Sequence, residues 1–152
     1  MKKGIIYYAT GDQYIKQAIL SSKSLKRHTD VDVTIYTHKN ISHPTFDKVQ
    51  VIRDSAYPLY DRIHHLRESP YEKTLYLDTD TFITGDIDPI FQLLDRVDVA
   101  VAFNESRDTA APHTKYMTSC INAPDTFAEY QCGVIGYLRN NRVEKLLSDW
   151  QD

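Results

Sequence analysis

Apolar and polar positions along this chain switch between two periods, and the switches mark out alternating strands and helices. Residues 3–8 carry the run Ile5-Ile6-Tyr7-Tyr8, which predicts a buried strand. A turn at Ala9-Thr10-Gly11-Asp12 follows, then a helix over about 12–28 with Tyr14, Ile15, Ala18, Ile19, Ser22 and Leu25 on one face. Thr10, with Gln13 three residues later, resembles a capping box at its start. Alternation over 31–36 predicts a second strand, and 48–52 a short third. Pro58 suits the first turn of a helix with Leu59, Ile63 and Leu66 inward, stopped by Ser69-Pro70.

The second half repeats the alternation. Residues 74–77 predict a fourth strand ending in Asp78-Thr79-Asp80, and Asp88-Pro89 opens a short helix through Leu94. Strands are expected over 97–103 and 133–138, and a last amphipathic helix places Val143, Leu146, Leu147 and Trp150 together. Between them, 104–128 has no clean period and carries Pro112 and Pro124, so it is expected to be a loop. With no internal repeat and no linker, the pattern predicts one α/β domain over 1–152, its sheet largely parallel and flanked by helices.

Composition narrows the function classes. At 152 residues the chain suits a single domain. Eighteen Lys and Arg against 21 Asp and Glu leave a net charge of -3, so no bulk nucleic-acid binding is expected. No apolar run nears the roughly 18 residues of a membrane span. The chain runs from Met1-Lys2-Lys3-Gly4 straight into the first strand, from which a cytoplasmic protein is expected. Cys120 and Cys132 fit neither a zinc framework nor a redox CxxC pair, and a bridge between them is not implied. A monomer and an oligomer are equally compatible with these features.

Candidate chemistry gathers at two predicted strand ends, where open α/β sheets bind ligands. The loop 9–14 has a single Gly, so it is neither a dinucleotide fingerprint nor a phosphate-cradling loop. Asp78 and Asp80 flank one residue beyond the fourth strand. If the backbone stays extended there, both carboxylates leave on one side, as a divalent cation needs, with positions open to phosphate oxygens and water. The stretch Leu75-Tyr76-Leu77-Asp78-Thr79-Asp80-Thr81 also fits the nucleophile motif of haloacid-dehalogenase-type phosphatases. In that fold the motif ends the first strand, whereas here it ends the fourth. His64-His65 lacks the partner spacing of a metal helix, and surface or packing roles are expected. Most of the eleven tyrosines are expected in the core or at its rim.

Four segments resemble the GT-A glycosyltransferases, specifically glycosyltransferase family 8, the glycogenin and bacterial galactosyltransferase group. Thr10-Gly11-Asp12-Gln13-Tyr14 resembles the family's T-x-D-x-Y loop, and Arg62-Ile63-His64 its (K/R)-h-H helix segment. Lys73 through Thr81, continued by Ile87-Asp88, resembles K-x-x-x-h-D-x-D-T…I-D. Tyr130-Gln131-Cys132-Gly133-Val134 resembles F-N-(S/A)-G-V, with Gln131 where the family has Asn.

The resemblance implies a GT-A fold: a Rossmann-like mixed, mostly parallel sheet flanked by helices. It implies a nucleotide-sugar donor, a UDP-hexose, bound with Mn²⁺ (or Mg²⁺) held by Asp78 and Asp80. Asp12 and Tyr14 would meet the base, the tyrosine ring stacking on uracil, Arg62 would pair with the diphosphate, Gln131 and Cys132 would lie near the sugar, and Thr10 and Thr79 would also belong to the donor site. The implied reaction is metal-dependent transfer of the hexose to a glycan or other hydroxyl acceptor, with retention. The family's later D-Q motif and its C-terminal H-x-x-G-x-K segment have no counterpart, so the acceptor part is missing from the expectation and no catalytic residue is assigned. A non-catalytic nucleotide-sugar-binding fragment or pseudo-transferase is the alternative.

Overall fold

The computed structural model of the chain describes residues 1–52, 58–103 and 130–150, with the backbone alone for 58–61. The predicted loop over 104–128, Cys120 and the inward role of Leu59 fall outside the described residues. Within them the order is β1 (Lys3–Ala9), α1 (Asp12–Leu25), β2 (Asp32–Thr37), β3 (Lys48–Val51), α2 (Pro58–Arg67) and β4 (Lys73–Leu77). There follow α3 (Asp88–Leu93), β5 (Val99–Phe103), β6 (Tyr130–Leu138) and α4 (Asn141–Asp149).

The six strands form one sheet in the order β3-β2-β1-β4-β6-β5. β1 runs parallel to β2 and β4, and β2 parallel to β3. β6 is antiparallel to both β4 and β5. This is the expected mixed, mostly parallel sheet flanked by helices. The chain winds outward from β1 through β2 to β3, then returns through α2 to place β4 on the other side of β1. Strand order therefore reverses at the β1/β4 boundary.

Period two along β1 divides the core into two layers. Ile5, Tyr7 and Ala9 join Ile15, Ala18 and Leu25 of α1, Val33, Ile35, Leu75, Leu77 and Phe91 in a mainly aliphatic layer. Ile6 and Tyr8 join Tyr36, Leu66, Tyr71, Tyr76, Tyr137, Val143 and Leu147 in a tyrosine-rich layer under α2 and α4. The expected core role of the tyrosines holds for these. Their hydroxyls are satisfied: Tyr36 donates to Glu68 O at 2.8 Å and Tyr137 to Leu66 O at 2.5 Å. Carbonyls at a helix end have no partner within the helix, so sheet tyrosines complete the end of α2. His65 lies between the rings of Tyr8 and Tyr36, at 5.3 and 5.1 Å, which is the packing role expected for the His pair.

Several boundaries and faces differ from expectation. α1 ends at Leu25, and residues 26–28 continue as tighter turns, with Arg27 N–H on Ser24 O and His28 N–H on Leu25 O. Its buried face adds Ser21 and Ser24 to the expected Ser22 and leaves out Tyr14, which is 50% exposed. Serines are tolerated there because each hydroxyl is bonded; Ser22 meets Thr45 at 2.6 Å and Ser24 donates to Ser21 O at 2.7 Å. The capping box does not form: Gly11 is the N-cap, without a side-chain cap bond. In α4 only Val143 and Leu147 are buried, while Leu146 and Trp150 stay largely exposed. β5 begins at Val99 because Val97 N–H still bonds back to Leu93 O beyond α3. β6 starts at Tyr130, three residues earlier than the pattern, because Tyr130 and Gln131 pair with Phe103 and Ala102.

Candidate functional site

The carboxyl ends of β1, β2 and β4 come side by side with the amino end of the antiparallel β6. The loop after β1 turns through Gly11, whose φ of 108° lies where side chains are disfavoured. Gly11 N–H donates to His38 Nδ1 at 3.1 Å, tying this loop to the end of β2. Thr10 is half-buried, and the exposed Asp12 accepts a hydrogen bond from Lys39 Nζ. That bond, with the Lys39 charge beside it, holds the Asp12 carboxyl below its usual range. The half-exposed Tyr14 ring stands beside Gly11, 3.5 Å from where a Cβ would sit. Gly11→Ala is therefore expected to destabilise the protein by about 1–2 kcal/mol through backbone strain alone, because the added Cβ would make only ordinary van der Waals contact with the Tyr14 ring. A urea midpoint unchanged from wild type would contradict this.

Beyond β4 the backbone does not stay extended. Thr81 N–H donates to Asp78 O at 3.2 Å, so Asp78 to Thr81 is a turn, and the expectation of two carboxylates leaving an extended strand together is corrected. The two aspartates have different settings. Asp78 is the inner one: its N–H donates to Gly133 O at 2.8 Å, and its Oδ1 receives the Tyr76 hydroxyl and Arg62 Nη1, the latter at 3.4 Å. Burial and the neighbouring carboxylate push the Tyr76 phenol far up, so it remains a donor. Gly133 leaves room for this carboxylate, since a Cβ there would stand 3.1 Å from Asp78 Oδ2. Asp80 is the outer one, exposed on the turn. Thr79 between them is buried and donates to Gln17 Oε1 at 3.0 Å.

The structure thus joins Arg62 and Asp78 directly, with Thr79 and Asp80 on the same turn. It places Thr10 on the adjacent strand-end loop and Asp12 and Tyr14 in the first turn of α1. Gln131 and Cys132 lie exposed at the start of β6, just before the glycine that meets Asp78, and Cys132 carries a free thiol. Tyr76, Gln17, His38 and Lys39 are additions that the sequence reading lacks. His38 and Lys39 directly follow a strand whose carboxyl end points here, and that position was their available signal.

Among the described residues no group of three or more His, Cys, Asp or Glu is placed to hold a metal alone. Two hard carboxylates on one turn, the outer one open to solvent, fit a divalent cation whose other ligands are phosphate oxygens and water.

No protein-family model matches the chain, and no curated protein matches it. Solved structures do. The glycosyltransferase GlyE of Streptococcus pneumoniae TIGR4 is similar at a TM-score of 0.66 and 19% identity, over 98% of this chain and 37% of that one. The galactosyltransferase LgtC, in complex with donor and acceptor sugar analogues, is similar at 0.64 and 16%, over 97% of this chain and 63% of that one. The bifunctional IspDF of Campylobacter jejuni is similar at 0.55 and 12%, over 98% of this chain and 47% of that one. These likenesses establish the fold: the chain has the mixed α/β fold of GT-A-like glycosyltransferases. It spans 37% and 63% of the two glycosyltransferases. No helix among the described residues is long and apolar enough to cross a membrane.

Proposed function

We propose that this chain is the donor-binding domain of a metal-dependent glycosyltransferase of the family 8 type, taking a UDP-hexose and passing the hexose to a hydroxyl acceptor. The observation that carries this is the meeting of the Asp78–Thr79–Asp80 turn, Arg62 and the Gly11 loop at the point where strand order reverses. Open α/β sheets bind nucleotides at that point, and the fold shared with two glycosyltransferases supports the reading.

In this assignment Asp78 and Asp80 hold Mn²⁺ (or Mg²⁺), which supplies charge neutralisation for the leaving nucleoside diphosphate. Arg62 faces the same phosphates with a planar fork of donors suited to them. Its ion pair with Asp78 keeps it oriented toward the turn. The Tyr14 ring offers a face for the base, and Asp12 and Thr10 polar contacts to the nucleoside. Gln131 and Cys132 border the sugar. Retention and a glycan acceptor are supported by the resemblance to family 8 alone, as is a cytoplasmic setting by the sequence alone.

The second reading is donor binding without transfer. Calorimetry with UDP and Mn²⁺, beside UDP-sugar hydrolysis, separates the readings. Mn²⁺-dependent UDP binding that weakens at least about tenfold in Asp80→Asn is expected, with stability unchanged because Asp80 is exposed. Binding without turnover selects the second reading. Absence of both UDP and Mn²⁺ binding refutes both, and an acyl phosphate on Asp78 would restore the phosphatase.

A further inference from the structure

The turn that carries Asp80 closes on one backbone hydrogen bond, from Thr81 N–H to Asp78 O. A four-residue turn of that kind is a soft unit, and Asp80 itself is exposed. The two residues beside Asp80 are nevertheless both fastened to α1. Thr79 Oγ1 donates to Gln17 Oε1 at 3.0 Å, and Thr81 Oγ1 lies 2.9 Å from Ser21 Oγ. Gln17 and Ser21 are one helical turn apart on one face of α1, about 6 Å along the axis. Two residues of chain cover a similar distance, so the helix grips the turn on both sides of Asp80.

The second fastening also has a fixed polarity. Thr81 Oγ1 donates to Asp78 O at 2.8 Å, so toward Ser21 it accepts. Ser21 is then the donor to Thr81, and Tyr7 OH, 2.8 Å from Ser21 Oγ, the donor to Ser21. The protons run one way, from Tyr7 through Ser21 and Thr81 to the Asp78 carbonyl, and Ser21 and Thr81 each give one bond and take one. Aligned chains of this kind strengthen their members. Their origin is rigid, because Tyr7 pairs with Leu77 across the β1–β4 ladder.

We propose that Gln17 and Ser21 are positioning residues: acting through Thr79 and Thr81, they set where the Asp80 carboxylate stands and thereby the affinity of the turn for a divalent cation. The turn-holding half stands on the geometry alone; the cation half rests on the function proposed above. Residues behind metal ligands are worth about 10- to 100-fold in metal affinity, and an effect near the lower end is expected here.

The test compares Thr81→Val, which deletes the hydroxyl and keeps the shape, Gln17→Leu and Ser21→Ala with Thr81→Ser, which keeps the hydroxyl. The control is Ser22→Ala. It breaks a more deeply buried hydroxyl pair, Ser22 with Thr45 at 2.6 Å, that does not touch the turn. Mn²⁺ affinity with UDP present is read from the paramagnetic resonance of free Mn²⁺, and amide exchange is read at Thr81. Thr81→Val and Gln17→Leu should each weaken Mn²⁺ binding about tenfold and quicken Thr81 exchange. Thr81→Ser and Ser22→Ala should match wild type in both. Unchanged exchange and affinity in Thr81→Val and Gln17→Leu overturn the proposal, as does an equal loss of Mn²⁺ in Ser22→Ala. A wild-type chain that binds no Mn²⁺ overturns the cation half and the metal site together, and Thr81 exchange then decides whether α1 holds the turn.

Discussion

Taken above pH 10, the protein is expected to unfold cooperatively with a midpoint near pH ~11. The cause is the tyrosine-rich layer together with Tyr7. Burial pushes the Tyr7 and Tyr71 phenols up to about 12, and drives Tyr36, Tyr76 and Tyr137 higher still. In the unfolded chain each would ionise near pH ~10. A group whose proton is held more tightly in the folded state contributes its full stability below the unfolded pKa and loses it as pH rises toward the folded one. Each tyrosine then costs about 1.4 kcal/mol per pH unit, and the five together about 7. Against a total stability of about 5–15 kcal/mol, one to two pH units suffice. Tyrosinate absorbance and the loss of far-ultraviolet ellipticity should rise along one curve. If these phenols ionise near pH ~10 while the fold persists, the burial argument fails.

The second large effect is expected at Gly4, on β1 between Asp32 of β2 and Thr74 of β4. The buried Tyr71 ring lies flat across the space where a Cβ would be, with three ring atoms 2.4 Å from it. The ring cannot easily swing aside, because its hydroxyl is bonded to Thr34 Oγ1 at 2.7 Å. Overpacking of this kind costs about 1–3 kcal/mol, and Gly4→Ala belongs at the upper end. For a chain of this length that lowers the melting temperature by about 6–12 °C. The cause is separable by a double-mutant cycle: in a Tyr71→Ala background, Gly4→Ala should cost little. A full penalty persisting there would point to the backbone in place of the ring.

Much of this was legible in the chain, for reasons particular residues make plain. The apolar run Ile5 to Tyr8 and the helical spacing from Ile15 to Leu25 depend on burial that each segment reports locally, so strands, helices and the α/β class were readable. What the helix face of α1 actually buries was not. Ser21 and Ser24 look like surface residues until the fold brings Tyr7 to the Ser21 hydroxyl and the Ile83 N–H to that of Ser24. The same holds for the candidate site. The acidic pair stood out by its place beyond an apolar strand, but the difference between an inner Asp78 and an outer Asp80 arises from Arg62, Tyr76 and Gly133. The extended backbone assumed beyond Leu77 gave way to a turn because the Thr79 and Thr81 side chains find partners on α1.

The placement of β6 carries a consequence for how the chain reaches this state. β6 follows β5 in sequence yet lies between β4 and β5, antiparallel to both. Residues through Phe103 can therefore assemble the parallel part, β3-β2-β1-β4, but β5 has no neighbour until Tyr130–Leu138 enters between them. Pairings this distant along the chain are slow to form, because the closure entropy must be met before the contacts reward it. During synthesis the side of β4 next to Asp78 stays open until residues 130–138 have emerged. The candidate site is therefore completed only once β6 has entered the sheet.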